Sequence, residues 1–250
     1  MSLHDKLIIP GHLITPDWHA PANVKALQTT RMGGISILPY ASLNLGDHVG
    51  DAPLAVARNR MLLNTLLPSE PVWLKQVHGT VVANADLASC LPQADACIAR
   101  HRDAVCVVMT ADCLPVLLCD TQGSVVGAVH AGWKGLAAGV IEAAVQAMDV
   151  APQNLMAWMG PAISQQAFEV GEEVRAVFVD ADPQALAAFI PGQSGKWFAD
   201  LYTLARLRLS ALGIMQIYGG DYCTYRESGK FFSYRRDGAT GRMGTFIWLD

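Results

Sequence analysis

The chain has 250 residues, of which 52% are hydrophobic, and a formal net charge of −4 at neutral pH. A chain of this length and apolar content can bury a large core, and its weak negative charge provides no broad basic surface for nucleic acid. The composition therefore favours a globular protein that binds a small molecule, and it disfavours nucleic acid as the partner.

Residues 1–18 show no sign of a targeting signal. Their short apolar stretch is interrupted by proline and flanked by acidic residues, unlike the apolar region of a secretory signal peptide. Elsewhere no segment approaches the ~18 uninterrupted apolar residues that a membrane-spanning helix needs. We therefore expect a cytoplasmic protein with no membrane partner. Its six cysteines form no C-x-x-C pair, and we expect them to be reduced.

The first half of the chain predicts one helix and a series of short strands. A strand over 24–30 leads into a loop rich in glycine and proline, and Asp51 followed by Pro53 marks the start of a helix that ends before Pro68. After this helix, β-rich segments separated by turns predict strands over 72–78, 94–99, 104–110, 114–119 and 124–130. These strands are expected to form the core of the sheet.

In the second half, helices alternate with strands. Apolar residues at helical spacing predict helices over 136–148, 171–180, 183–190 and 200–213, the last of them capped by Asp200. Strands are predicted over 154–160 and 215–220, and two turn signals near the C-terminus predict a hairpin over 230–249. Together the elements predict an α/β (mixed α+β) fold, in which residues 1–250 form a single compact domain with a mixed sheet flanked by helices.

Three residues with metal-binding side chains stand at the boundaries of these strands. His78 and His130 each end a β-rich segment, and Cys113 directly precedes the segment that begins at Leu114. Two imidazoles and one thiolate form a soft N₂S donor set that suits zinc, and three protein ligands leave one coordination position open. A lone histidine is more often a hydrogen-bonded structural residue, but three strand ends can meet in space. The pattern therefore predicts an enzyme with one zinc ion per chain.

Cys113 also has a competing interpretation as a nucleophile. A thiol and a histidine, here His130 or His78, are the minimum for covalent acyl chemistry. The two roles exclude each other, because a thiolate committed to zinc is a poor nucleophile. We favour the metal, since a catalytic thiol would leave His78 without an obvious task.

A turn of sequence AGWKG follows His130 and opens a predicted helix. Free N–H groups and the helix dipole attract phosphate at such a position, so Gly132, Trp133 and Lys134 are predicted to contact substrate. The structural alternative is a tight turn in which Trp133 only packs. The position directly after His130 favours the functional interpretation.

Other polar side chains are further candidates for holding the substrate. An arginine that faces the metal could bind phosphate in a bidentate fork, whereas the default role of an arginine is surface charge. The candidates are Arg31, Asn44, Arg235, Arg236 and Arg242, of which Arg31, Asn44 and Arg235 are predicted to bind substrate or phosphate.

The chain resembles the YfiH family over nearly its whole length. Successive motifs carry the resemblance in the family's order: LNLGDHVGD, WLKQVHG, MTADCLPVLL, HAGWKGLAAGV, GPAIS with AFEVG, and FFSYRRDGATGR. This family is also known as the laccase-domain or multicopper polyphenol oxidoreductase family, and it is associated with purine nucleoside phosphorylase and adenosine deaminase activity. The resemblance implies a compact α/β fold with zinc bound by His78, Cys113 and His130.

The resemblance also implies a reaction. It implies phosphorolysis of adenosine, inosine and methylthioadenosine to the free base and ribose 1-phosphate or its methylthio analogue, together with deamination of adenosine. An anion site beside a Lewis acid suits the first reaction, which needs phosphate held against the anomeric carbon. The expected partners are therefore a purine nucleoside and phosphate. Asp112 is a candidate proton donor because it neighbours a ligand, and the sequence leaves open whether two copies pair as a homodimer.

Three alternatives accompany this interpretation. One is a cysteine hydrolase that uses Cys113 and His130 on cell-wall precursors, since part of the family is described as a peptidoglycan editing factor. Another is a purely structural zinc, which would need a fourth ligand such as His48 or Cys119. The third, a copper-dependent polyphenol oxidase, is disfavoured because a laccase-type centre needs many histidines in H-x-H pairs, whereas this chain has seven and none in that pattern. Copper(II) could still occupy the N₂S site, since it outcompetes zinc at most nitrogen-rich sites.

Overall fold

The computed structural model of the chain describes residues 11–87 and 91–250. Strands and short helices succeed one another along the chain, with 3₁₀ turns between some of them. The elements are β1 (Leu13–Ile14), β2 (Val24–Thr29), α1 (Pro53–Asn64), β3 (Val82–Asn84), β4 (Ala96–Ala99), β5 (Cys106–Thr110), β6 (Leu114–Asp120), β7 (Val126–Ala131), α2 (Trp133–Ala138), α3 (Val140–Met148), β8 (Leu155–Met159), β9 (Glu169–Val170), α4 (Glu172–Ala181), β10 (Phe189–Pro191), β11 (Trp197–Ala199), α5 (Leu201–Ala211), β12 (Gln216–Gly219), α6 (Tyr234–Asp237) and β13 (Met243–Leu249).

These strands form three sheets. The largest has six strands in the order β12-β8-β6-β7-β4-β3 and is mixed, because β12 pairs with β8 and β3 with β4 in parallel while the central pairs are antiparallel. A second sheet, β1-β2-β13-β5, is antiparallel throughout. A small antiparallel sheet, β10-β11-β9, completes the set. The predicted mixed sheet is therefore confirmed, and a second sheet joins it.

The two larger sheets pack face to face, which explains why strands β4 to β8 and β13 are buried on both sides. Along β6, Leu114, Val116 and Leu118 pack against the helices, while Leu117 and Cys119 pack against the four-stranded sheet. Such alternation follows from the period of two in a strand. Helices α2 to α5 cover one outer face, and α1 with the preceding loop covers the other. The predicted mixed α+β fold with flanking helices is confirmed.

The segment 72–78 does not form the predicted strand. It makes isolated bridges only, from Val72 to Cys106 and from Lys75 to Gln93. A side chain makes the hydrogen bonds that a strand ladder would otherwise make. The side-chain amide of Gln76 donates to the carbonyl of Met109 at 2.8 Å and accepts from the backbone N–H of Met109 at 2.7 Å. The segment is thus held beside β5 without belonging to a sheet.

Two predicted helices have different forms in the structure. The helix over 136–148 is two helices, α2 and α3, because Gly139 between them adopts a left-handed conformation with φ of 95° that only glycine reaches readily. The segment 183–190 begins as a 3₁₀ turn over Pro183–Ala188, which Asp182 caps through the N–H of Gln184, and continues into β10.

The C-terminal hairpin prediction is wrong. The segment before the last strand forms α6, capped by Ser233, while β13 pairs with β2 and β5. All seven residues of β13 are buried, so the distant sheet offers more apolar contact than a local hairpin could. By contrast, the prediction that Asp200 caps a helix is confirmed, since its carboxylate accepts from the N–H groups of Tyr202 and Thr203.

Five of the cysteines, Cys97, Cys106, Cys113, Cys119 and Cys223, are free thiols as predicted, while Cys90 lies outside the described residues. The described helices are short, and α1 extends over 12 residues. Within residues 11–87 and 91–250, no helix combines the length and the apolar character needed to cross a membrane.

Candidate metal centre

The three predicted ligands come together at one end of the six-stranded sheet. In the register of β6 and β7, Pro115 lies opposite His130, which places the preceding Cys113 beside the end of β7. The loop that follows residue 77 brings His78 to the same point. The ligand atoms of the three residues lie within 4.8 Å of one another, and Cys113 Sγ lies 3.8 Å from His78 Nε2. Among the residues that the structure describes, this is the one such group placed to hold a metal ion.

Two residues at the centre have strained backbone conformations. His78 has φ of 61° and Asp112 has φ of 91°, backbone angles that residues other than glycine rarely adopt. Strain of this kind persists only when surrounding contacts hold it, and it concentrates at functional sites. For Asp112 those contacts are the hydroxyl of Thr224, at 2.6 Å, and the N–H of Arg235, at 2.7 Å, each donating to one carboxylate oxygen. Asp112 therefore anchors two loops of the site.

Asp95 is the anchor for both histidines. Its buried carboxylate accepts from His130 Nδ1 at 2.8 Å and from the backbone N–H groups of His78 at 2.9 Å, Gly79 at 2.7 Å and Val77 at 3.1 Å. Because a carboxylate can only accept, the His130 ring must donate from Nδ1, which leaves Nε2 as the atom available to a metal. One side chain thus fixes the tautomer of one histidine and the loop that carries the other.

The electrostatics of the group favour a thiolate on Cys113 beside a protonated His130. Burial alone would raise the pKa of the Cys113 thiol, but the charge of His130 and hydrogen bonds from His130 and His78 lower this pKa to about 6. Burial alone would lower the pKa of His130, but the Cys113 thiolate and Asp95 raise it to about 9. The Asp95 pKa lies below its usual value because the hydrogen bonds that it accepts outweigh its burial. At neutral pH the site therefore holds a Cys113 thiolate, the form that binds a metal, beside a protonated His130, whose Nε2 proton a bound metal would displace.

Gly132 leaves the space that this group occupies. A Cβ atom at this position would lie 2.8 Å from His78 Cδ2 and 3.0 Å from Cys113 Sγ. The backbone of Gly132, with φ of −63°, suits any residue, so the requirement for glycine comes from the neighbouring ligands alone.

We expect Gly132→Ala to weaken zinc binding by about tenfold or more, because displaced ligands lose the geometry that a metal site needs. Competition with a chelator measures the affinity, and urea unfolding of the metal-free protein measures stability. Gly229→Ala is the matched control, since an added Cβ there meets nothing within 4 Å. Equal zinc affinities of the two variants would contradict this account of Gly132.

Two clefts meet at the three ligands. The first cleft, of about 350 Å³, is lined by apolar side chains and two cations, among them Trp133, Lys134, Ile163, Phe168 and Arg235. The second cleft, of about 400 Å³, lies beside His130 and is lined by more polar residues, among them His48, Gln76, Thr110 and Arg242. Both clefts share His78, Ala111, Cys113 and Tyr234. The cluster is therefore reached from two directions.

Trp133 and Lys134 of the AGWKG turn and Arg235 line the first cleft, whereas Gly132, which was also predicted to contact substrate, lines neither cleft. The ammonium group of Lys134 lies 5.7 Å from the ring centre of Trp133. The guanidinium of Arg235 lies 5.4 Å from the ring centre of Phe168 and donates to the carbonyl of Glu169 at 2.9 Å. These side chains surround the cleft with flat apolar surfaces and positive charge.

Arg31, Asn44 and Arg236 are not among the residues that line the two clefts. Arg31 donates to the carbonyls of Ala41 and Ser228, and Arg236 donates to the carbonyls of residues 224, 225 and 231. Asn44 is buried and accepts from the backbone N–H of Arg242 at 2.9 Å. The structure shows these three side chains bracing the loops around the site.

The proposed fourth ligands lie apart from the group. Cys119 stands near the other end of β6, where burial and the neighbouring Asp120 raise its pKa to about 12. His48 borders the second cleft, but its Nδ1 lies 3.4 Å from Asp47 and more than half of its side chain is exposed. Asp95 was missed by the sequence interpretation, although an acidic residue directly before the buried strand β4 was a usable signal.

Comparisons with known proteins show which sequences and structures this chain resembles. The model of the family described as multi-copper polyphenol oxidoreductase laccase matches residues 25–250. The purine nucleoside phosphorylase YfiH of Escherichia coli is 53% identical over 242 residues, which cover 95% of the chain and 98% of that protein. The purine nucleoside phosphorylase PA4543 of Pseudomonas aeruginosa is 50% identical over 237 residues, covering 94% of the chain and 98% of that protein. The crystal structure of the Neisseria meningitidis protein NMB0706 superposes with a TM-score of 0.93 at 53% identity, and the match covers 96% of this chain and 99% of that one.

Proposed function

Because this chain belongs to the YfiH family, described as multi-copper polyphenol oxidoreductase laccase, we propose that it is a zinc-dependent purine nucleoside phosphorylase. Its substrates are adenosine, inosine and methylthioadenosine, which it converts with phosphate to the free base and ribose 1-phosphate or its methylthio analogue. It also deaminates adenosine. The observation that supports the proposal is a three-ligand metal group with an apolar, positively charged cleft directly beside it.

The chain's own residues fit a zinc ion. His78, Cys113 and His130 would hold it, since their ligand atoms lie within 4.8 Å of one another and Gly132 leaves room beside them. Three ligands are the number found in catalytic zinc sites, whereas structural sites use four. Zinc bound there supplies a Lewis acid that stabilises negative charge during the reaction.

The first cleft fits a purine nucleoside. Its volume of about 350 Å³ lies within the range of small-molecule sites, and Trp133 and Phe168 offer flat apolar surfaces for the base. Lys134 and Arg235 can donate to polar atoms of the sugar and base. Phosphorolysis joins a phosphate oxygen to the anomeric carbon and breaks the bond to the base, which leaves with the bonding electrons and takes up a proton. The protein's contribution is to hold the two substrates in line and away from water.

A cysteine hydrolase is the second candidate, and the contact between Cys113 and His78 favours it. The two atoms lie 3.8 Å apart, close enough for a base to activate a thiol when a substrate binds. Metal content separates the two functions, because a hydrolase of this type needs a free thiol. A polyphenol oxidase would instead need several copper ions, and a single ligand group among the described residues supports one metal.

Turnover of adenosine by the zinc-loaded protein, with and without phosphate, tests the proposal. We expect adenine and ribose 1-phosphate only when phosphate is present, and inosine in its absence as the product of deamination. Chromatography resolves adenine, inosine and hypoxanthine, and protein stripped of metal by a chelator is the control. Turnover that persists in the stripped protein would contradict a zinc enzyme and favour the free thiol. Absence of any phosphate-dependent product from zinc-loaded protein would exclude the phosphorylase.

A further inference from the structure

The second cleft contains a polar atom that has no hydrogen-bond partner among the described residues. Thr110 is 1% exposed and lines this cleft, and its hydroxyl has no hydrogen-bond partner among the described residues. A buried hydroxyl without a partner costs stability, and Thr110 differs from the similarly buried Thr240 in lining a cleft that a ligand can enter. A ligand in the second cleft would supply the missing partner.

Arg242 is the cation of the same cleft. Its hydrogen bonds among the described residues leave from Nη1 only, to the carbonyls of Thr240 and Gly241 at 3.0 Å each. Nε and Nη2 of Arg242 donate to no acceptor among the described residues, so a ligand can accept from them. The backbone of Arg242 is fixed by the side chain of Asn44, whose loop is in turn held by Asn59 of α1. The cation is thus built into the fold.

The charges around the two clefts differ. Asp112 lines the first cleft, whereas no carboxylate is among the described residues that line the second. The first cleft combines Asp112 with Lys134 and Arg235, whereas the second offers an anion the donors Arg242 and Thr110 with no carboxylate among its described lining residues.

We propose that the second cleft is the phosphate subsite, in which Arg242 and Thr110 bind inorganic phosphate on the side of the ligand group opposite the nucleoside. This inference rests on the proposed function and specifies where its second substrate binds. Both clefts border His78 and Cys113, so the two substrates meet at the metal group.

Thr110→Val tests the hydroxyl without a change of shape. We expect the KM for phosphate to rise about tenfold or more, because hydrogen bonds to charged groups are strong. The KM for adenosine should stay the same. The midpoint of urea unfolding should be equal or higher, since the variant removes a buried polar atom that has no protein partner. A merely structural hydroxyl would not combine a retained stability with a selective loss of phosphate affinity.

Thr240→Val is the matched control. Thr240 is also 1% exposed, and its hydroxyl has no partner in residues 11–87 and 91–250, yet it does not line either cleft. Valine keeps the carbonyl that accepts from Arg242. We expect its KM for phosphate to equal that of the wild type. Equal KM values for phosphate in Thr110→Val and the wild type would overturn the subsite while leaving phosphorolysis itself intact.

Calorimetric titration of inorganic phosphate into zinc-loaded protein separates this inference from the proposed function. We expect Arg242→Gln to weaken phosphate binding about 100-fold, and Lys134→Gln to leave it unchanged. Weaker phosphate binding in Lys134→Gln, with no change in Arg242→Gln, would assign phosphate to the first cleft and overturn the inference. If the protein binds phosphate through Arg242 but does not phosphorolyse adenosine, the result would support the phosphate subsite and exclude the phosphorylase function. A wild type that binds no phosphate would overturn the subsite.

Discussion

Replacement of Cys113 by alanine is expected to release zinc and abolish nucleoside turnover while the fold stays intact. The thiolate is the one anionic member of the ligand group, and two neutral imidazoles alone bind zinc weakly. Zinc affinity should fall by more than the roughly 10–100-fold that the loss of a supporting hydrogen-bond partner costs. The fold should survive, because the contact of Cys113 Sγ with His78 Nε2 belongs to the ligand group itself. Zinc content after dialysis and adenosine turnover measure the two effects.

Cys119→Ala is the control for this experiment and tests the structural-zinc alternative at the same time. Cys119 is fully buried in β6 and lies outside the ligand group. Its replacement should leave zinc content unchanged and cost some stability through the lost apolar contacts. Stoichiometric zinc in Cys113→Ala would refute the ligand assignment, and loss of zinc in Cys119→Ala would favour a structural site.

Asp95→Asn is expected to lower both stability and metal affinity. An amide has one accepting oxygen, so either orientation turns an NH₂ group toward N–H donors that the carboxylate now satisfies. Depending on the orientation, these donors belong to Val77 and Gly79 or to His78 and His130. We expect a loss of about 3 kcal/mol in the free energy of unfolding, because buried donors are left unpaired. Zinc affinity should fall about 10–100-fold, as it does when a histidine ligand loses its supporting carboxylate.

The pH dependence of this loss has a definite sign. The pKa of Asp95 is lowered in the folded protein, so its carboxylate stabilises the fold above the pKa of the unfolded chain, and this contribution disappears as the pH falls through the folded value. The stability gap between wild type and Asp95→Asn should therefore narrow below a pH of about 4. Urea unfolding of the metal-free wild type and Asp95→Asn at pH values above and below about 4 measures this difference in stability.

Asp86→Asn is the matched control for Asp95. The Asp86 carboxylate also accepts from backbone N–H groups, those of Arg100 and His101, but it lies outside the ligand group. The Asp86→Asn protein should have a lower free energy of unfolding and the same zinc affinity as the wild type. An Asp95→Asn protein with the zinc affinity of the wild type would show that Asp95 does not position the ligands.

The local elements of the fold could be predicted where a pattern and its burial agree. The helix of Asp200 and the strands β4 to β8 carry apolar runs whose period matches their final environment. The prediction failed where long-range contacts outweigh a local signal. β13 joins β2 and β5 instead of a hairpin, because burial of all seven residues between distant strands exceeds what a turn can stabilise locally.

The ligand group shows the same division. That His78, Cys113 and His130 suit a metal follows from their chemistry and their places at the ends of apolar segments, so the candidate ligands and the mixed α+β class could be predicted without a structure. Arg242 was a candidate from the sequence and Asp95 stands directly before a buried strand, but the sequence does not show the roles of Asp95, Thr110 or Arg242, because each role depends on atoms that are distant along the chain. The folded structure was needed to show which carboxylate orients the histidines and that two clefts meet at the ligands. Hydrogen bonds and charge interactions act over a few ångströms in space, whereas periodicity records only which face of a segment is buried.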